Sequence, residues 1–127
     1  NIFISVKDKD KPFIKTVCKR LVKLGFKLIC TKGTGNFLKA EKINVSFVNK
    51  VIEGRPHIVD MIKNKNIALI FNTTEGKQSI SDSFSLRQAA LHTNVPYYTT
   101  ISGCKSVLLA LENMNEDKLN IKSLQSY

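Results

Sequence analysis

The chain has 127 residues, 43% of them hydrophobic and 24% charged, with six Gly and three Pro. That is globular composition for one domain, and it excludes wholesale disorder and collagen-like repeats. Twenty Lys plus Arg against ten Asp plus Glu give a net charge of +10, which points to a phosphate-bearing partner, a nucleic acid or a small anion. No apolar run approaches the ~20 residues that a membrane span requires.

Apolar runs alternate with helix-period segments along the chain, the pattern of a parallel α/β sheet. Ile2–Val6 opens as a strand. An amphipathic helix follows, with Pro12 in its first turn, Phe13, Ile14, Val17, Cys18, Leu21 and Val22 on one face, and Gly25 as its stop. Strands are then predicted at Phe26–Cys30, Ser46–Val48, Ile67–Phe71 and Tyr97–Thr99. Helices are predicted at about Gly35–Glu41, Pro56–Asn64, Asp82–Thr93 and Gly103–Asn113, with Pro56 and Asp82 suited to helix starts. The tail, Asp117–Tyr127, reads as one last short turn. These are five βα units in one domain spanning 1–127, expected to be a piece of a longer, cytoplasmic chain.

In such sheets ligands bind beyond the carboxyl ends of the strands. The first strand leads to Ser5 and a lysine run, of which Lys11 is the candidate ligand and the rest a solvated loop. The second leads to Thr31-Lys32-Gly33-Thr34-Gly35, the third to Asn49-Lys50 and Glu53-Gly54-Arg55-Pro56. The fourth leads to Asn72-Thr73-Thr74-Glu75-Gly76-Lys77, and the fifth to Thr99-Thr100-Ile101-Ser102-Gly103. All five ends carry hydroxyl, amide or ammonium donors and almost none a carboxylate. Glycine lets backbone N–H groups approach an oxyanion, hydroxyls add short hydrogen bonds, and a helix N-terminus and a lysine supply positive charge. The inventory fits a phosphate pocket, although neither G-x-G-x-x-G nor GxxxxGK[ST] is present.

Nothing here builds a catalytic apparatus. His57 and His92 lie on or beside helices, Asp60 reads as a helix-surface carboxylate and Asp82 as a cap, and no Ser/His/Asp set forms. Cys18, Cys30 and Cys104 are too far apart in sequence for a C-x-x-C pair and read as reduced, buried thiols; no metal site is expected. Only Arg20, Arg55 and Arg87 are arginine, the lysines are scattered and there is no Trp, so no nucleic-acid-reading stripe is present.

Asn49-Lys50-Val51-Ile52-Glu53-Gly54-Arg55-Pro56-His57-Ile58-Val59-Asp60, with Ile70-Phe71-Asn72-Thr73-Thr74-Glu75-Gly76, closely resembles the C-terminal regulatory domain of the carbamoyl-phosphate synthase large subunit, bacterial nucleotide-regulated type. Thr31-Lys32-Gly33-Thr34, Asp82-Ser83 and Thr99-Thr100 fall in register with it, and the similarity runs through residues 1–120. The resemblance implies the methylglyoxal-synthase-like fold, a three-layer α/β/α arrangement with a five-stranded parallel sheet in order 3-2-1-4-5. It implies an effector pocket for UMP or IMP, with Lys11, Thr31, Thr34 and Lys50 on the phosphate. Ser5, Asn72, Thr73, Thr74, Asp82 and Ser83 would line the nucleotide, and Thr99 would face a border that responds to ornithine. It further implies a parent ligase using ATP with Mg or Mn in preceding ATP-grasp domains, a small glutaminase subunit as partner, and roles in pyrimidine and arginine synthesis. No cofactor, nucleic acid or membrane is expected for this domain itself. The rival in the same superfamily is methylglyoxal synthase, a lyase acting on dihydroxyacetone phosphate. The positions of its catalytic Asp and His are held here by Arg55 and Ser79, and an arginine does not abstract protons at neutral pH. Glu75 and Gln78 also depart from the family pattern.

Overall fold

A computed structural model describes residues 1–48, 58–64, 66–74 and 77–125, with the backbone alone for 77–82 and 115–125. Asn49, Lys50 and the Glu53–His57 block therefore lie outside the described residues, as do Glu75 and Gly76. Five strands, β1 (Ile2–Ser5), β2 (Leu28–Cys30), β3 (Ser46–Phe47), β4 (Leu69–Asn72) and β5 (Tyr97–Tyr98), form one parallel sheet in the order β3-β2-β1-β4-β5. This is the expected topology. The helices are α1 (Lys11–Lys23), α2 (Lys32–Ala40), α3 (Ile58–Lys63), α4 (Lys77–Thr93) and α5 (Ile101–Gln125), and a 3₁₀ turn at Asp8–Asp10 leads into α1.

The period of two in each strand divides the core. Ile2, Ile4, Leu28, Cys30, Leu69 and Phe71 face α1, α2 and α5, meeting Ile14, Val17, Leu21, Leu38 and Leu108. Phe3, Ile29 and Ile70 face the other way, onto Ile58, Val59 and Ile62 of α3 and Leu86, Ala89 and Ala90 of α4. Phe3, Ile4, Ile70 and Phe71 are at most 1% exposed, and burial of each such side chain is worth ~1.5–3 kcal/mol. Of the face predicted for α1, Ile14, Val17, Cys18 and Leu21 are buried, whereas Phe13 and Val22 stay open to solvent. The Lys105 ammonium stands 5.7 Å from the Phe13 ring centre, and Arg20 of α1 pairs with Glu112 of α5.

Several boundaries differ from the sequence expectation, each for a local reason. β1 ends at Ser5 because Val6 gives both its backbone groups to the Thr34 side chain. β2 starts only at Leu28, since Phe26 N–H closes onto Leu21 O at the end of α1, where Gly25 takes φ +98°. α2 begins at Lys32, three residues early, with Gly35 N–H donating to Thr31 O at 2.8 Å. α4 begins at Lys77, which places Asp82 inside the helix instead of at its cap. Thr100 caps α5, its Oγ1 accepting from Gly103 N–H at 3.0 Å. No Gly or Pro follows Gly103, and the helix continues to Gln125 in place of the predicted short turn.

Candidate functional site

Thr31, Thr34, Asn72 and Thr73 are the buried polar side chains among the described residues, at 3%, 2%, 4% and 5% exposure. All four lie at the carboxyl edge of the sheet. Polar groups are buried at a cost unless they find partners, and the strand register explains how these do.

On the α3/α4 face, the apolar row Ile29–Phe3–Ile70 is followed one pleat later by Thr31, Ser5 and Asn72. The Ser5 and Thr31 hydroxyls are 3.0 Å apart. The Asn72 amide Nδ2 donates to Ser83 Oγ on α4 at 2.9 Å and to the Tyr97 hydroxyl on β5 at 2.6 Å. On the opposite face, Thr34 Oγ1 accepts from Val6 N–H at 3.0 Å and donates to Val6 O at 3.4 Å. Thr73 Oγ1 accepts from Lys7 N–H at 3.0 Å, while Thr73 N–H reaches Ser5 O at 3.0 Å. The hydroxyls thus fasten the loop after β1 to α2 on one side and to the end of β4 on the other.

Positive charge gathers beside this row. Lys11 opens α1, and its ammonium lies 3.6 Å from where a side chain on Gly33 would begin. It therefore sits over the first turn of α2. That turn has no side-chain cap, because Thr31, the residue in the capping position, turns its hydroxyl to Ser5. Unfilled N–H groups and the positive end of a helix make an anion cradle, and the lysine adds a full charge. Asp8 is now the partner of Lys11 at 2.5 Å, and this ammonium holds the Asp8 carboxyl below the usual carboxylate range.

Of the remaining predicted residues, Ser5, Lys11, Thr74 and Ser83 are half-buried, and Thr99 is exposed just past β5. Asp82 precedes Ser83 on α4 and is described by its backbone only, and Lys50 lies outside the described residues. The sequence reading passed over Tyr97, Val6 and Asp8. A tyrosine at the inner end of a strand was a usable signal, because a buried ring brings a hydroxyl that needs a partner.

Burial disfavours the thiolate form of all three cysteines. Cys18, Cys30 and Cys104 are unpaired and buried, and burial pushes Cys30 and Cys104 up to about 12 and Cys18 higher still. Among the described residues no group of three or more His, Cys, Asp or Glu is arranged to hold a metal ion, and no helix is long and apolar enough to cross a membrane. Asp60 lies in α3 and His92 is exposed in the last turn of α4.

A family model described as "MGS-like domain" matches residues 14–99. The chain is 46% identical over 126 residues to the carbamoyl phosphate synthase large chain of Mesorhizobium japonicum, covering 99% of this chain and 11% of that one. It is 47% identical over 126 residues to that of Myxococcus xanthus, covering 99% and 12%. For Xanthomonas axonopodis pv. citri the figures are 51% over 110 residues, 87% of this chain and 10% of the relative. The chain thus spans about a tenth of the length of these relatives. The crystal structure of methylglyoxal synthase from Elizabethkingia anophelis NUHP1 matches with a TM-score of 0.64 over 84% of this chain and 75% of that one, at 17% identity, a likeness of fold. By the family model and this shared sheet, the chain belongs to the MGS-like domain family.

Proposed function

We propose that residues 1–127 form one regulatory, effector-binding domain of a carbamoyl phosphate synthase large chain, and that the effector is a nucleoside monophosphate, UMP or IMP. The observation that carries this reading is the gathering of every buried polar side chain among the described residues at one sheet edge, beside Lys11 and the uncapped start of α2. Among the described residues the edge offers hydroxyl, amide and ammonium donors for a phosphate, and its described carboxylate, Asp8, is paired with Lys11.

In this reading Lys11, Lys50, Thr31 and Thr34 hold the phosphate, while Ser5, Asn72, Thr73, Thr74, Asp82 and Ser83 line the nucleotide. Thr34 does so without abandoning the fold. Its hydroxyl keeps accepting from Val6 N–H at 3.0 Å, and the longer 3.4 Å bond to Val6 O is the one an anion replaces. Lys11 exchanges Asp8 for the phosphate. Thr99, on the exposed end of β5, faces the ornithine-responsive border. The ligase chemistry, with ATP and Mg or Mn, belongs to preceding ATP-grasp domains, and the glutaminase to a small subunit. Binding shifts the parent between states that differ in effector affinity, a coupling of ~1–3 kcal/mol, in the cytoplasmic supply of carbamoyl phosphate for pyrimidine and arginine synthesis.

The test is calorimetric titration of the chain with UMP and with IMP. Saturable binding that weakens at least ~10-fold in Lys50→Ala, the loss expected for a charge-assisted contact, supports the site. No heat from either nucleotide refutes it. Incubation with dihydroxyacetone phosphate addresses the lyase reading suggested by the shared fold: methylglyoxal release would overturn the regulatory one.

A further inference from the structure

The phosphate reading uses Lys11 and Lys50 and leaves most of the twenty basic residues without a part. Some of them border an apolar cleft on another face, where α1 and α5 lie side by side. The two helices run parallel and in step: Lys105 meets Phe13, and seven residues further along both, Glu112 meets Arg20. Val17 and Leu108, each 1% exposed, close the seam beneath. Above the seam is a cleft of ≈ 350 Å³, whose lining includes Phe13, Thr16, Val17, Arg20, Lys105 and Leu109.

Phe13 is 55% and Leu109 53% exposed, one large apolar side chain facing water from each helix. The charge about them is of one sign. Glu112 is the carboxylate described beside the cleft, and Arg20 Nε and Nη2 both hold it. Lys105 has no carboxylate partner among the described residues; its ammonium rests 5.7 Å from the centre of the Phe13 ring, a contact that leaves it open to an anion. Lys23, two turns on from Thr16 along the same stripe, is exposed as well. The cleft therefore offers apolar anchoring at its centre and positive charge along its rim.

We propose that this cleft docks a single acidic amphipathic helix of a partner protein, with its apolar side chains set between Phe13 and Leu109 and its carboxylates beside Lys105 and Lys23. Two helices packed side by side leave a groove that a third fills by the same fit of ridges into grooves. The stretch from Phe13 to Arg20, ~10 Å along the axis, takes about two turns of such a helix. A second copy of this chain is the wrong occupant, because each copy carries +10.

The experiment follows the fluorescence anisotropy of labelled helical peptides of about 15 residues as the chain is added. One peptide carries a leucine stripe with Glu elsewhere, a second has Lys in place of every Glu, and a third is the first one scrambled. The expected result is saturable binding of the Glu peptide, at least ~10-fold tighter than either control and weakened at least ~10-fold by Leu109→Ser and by Lys105→Glu. Leu91→Ser, which alters a still more exposed leucine on α4, leaves it unchanged. All three substitutions fall on exposed side chains, and circular dichroism checks that each variant keeps its helices. No saturable binding, equal binding of the scrambled peptide, or an equal loss in Leu91→Ser overturns the proposal. Uptake of the chain by phosphatidylglycerol vesicles that Leu109→Ser abolishes, with the Glu peptide left unbound, overturns it too and assigns the patch to a membrane surface.

Discussion

At the scale of single residues, the Thr34 hydroxyl serves the fold and stands at the proposed site. It satisfies the backbone N–H of Val6 in a place 2% exposed to water. Thr34→Val keeps the shape and strands that N–H, which costs roughly 1–3 kcal/mol; Thr34→Ser keeps the hydroxyl and loses much less. Urea unfolding of the two variants checks this, and equal midpoints would remove the role assigned to the bond. Serine at 34 should also retain ligand binding that valine loses. The sequence marked these residues as candidates because donors recur after all five strands, but it did not show their partners. Thr31 stands in the capping position of α2 and turns its hydroxyl to Ser5 instead. Tyr97 stays invisible until strand register sets its hydroxyl beside Asn72, which no local pattern encodes.

At the scale of elements, α2 depends on a missing side chain. A Cβ on Gly35 would stand 2.4 Å from Phe47 Cε1, since the β3 ring lies against the helix with the Lys39 ammonium 4.8 Å from its centre. Gly35→Ala raises helix propensity by ~1 kcal/mol, yet the overlap with the ring costs typically ~1–3 kcal/mol. The net effect is destabilising, and it should change sign in a Phe47→Ala background, where only the propensity gain remains. Thermal melts of the four proteins of this cycle decide the matter; a destabilising Gly35→Ala in both backgrounds would refute the close-approach account. The strands were readable from their apolar runs and their order followed from the family resemblance, while several helix starts were misplaced. Apolar runs in short strands follow from burial on both faces. Gly33, placed before the helix predicted from Gly35, proved to lie in the first turn of α2, and Asp82, read as the cap of α4, proved interior to it.

At the scale of the whole molecule, three thiols in the core beneath α1 and α5 set its response to alkali. Cys30 and Cys104 titrate at about 12 in the folded chain, and Cys18 higher, against 9.0 when exposed, because burial disfavours the thiolate. The native state therefore keeps protons that the unfolded chain releases above about pH 9. The stabilisation is complete below that pH and is lost as pH rises toward 12, at up to roughly 1.4 kcal/mol per pH unit for each thiol. Urea midpoints measured from pH 7 to 10 should be flat and then fall, and Cys18→Ala should fall less steeply whatever its starting stability. An unchanged slope in that variant would refute the assignment.

The central place of β1 carries a consequence in time. It precedes the other four strands in sequence, yet it pairs with β4, and the Lys7 N–H to Thr73 bond that closes their far end joins positions 66 residues apart. A chain emerging from the ribosome must hold this apolar strand unpaired on that side until Asn72 has been synthesised. Long-range parallel pairing of this kind is slow, and waiting strand edges invite aggregation. The donor edge at Ser5, Thr31 and Asn72 exists only after that closure. Under the proposed function, a phosphate ligand bound there would stabilise the finished sheet alone, and effector supply would then bear on how much of the newborn protein survives.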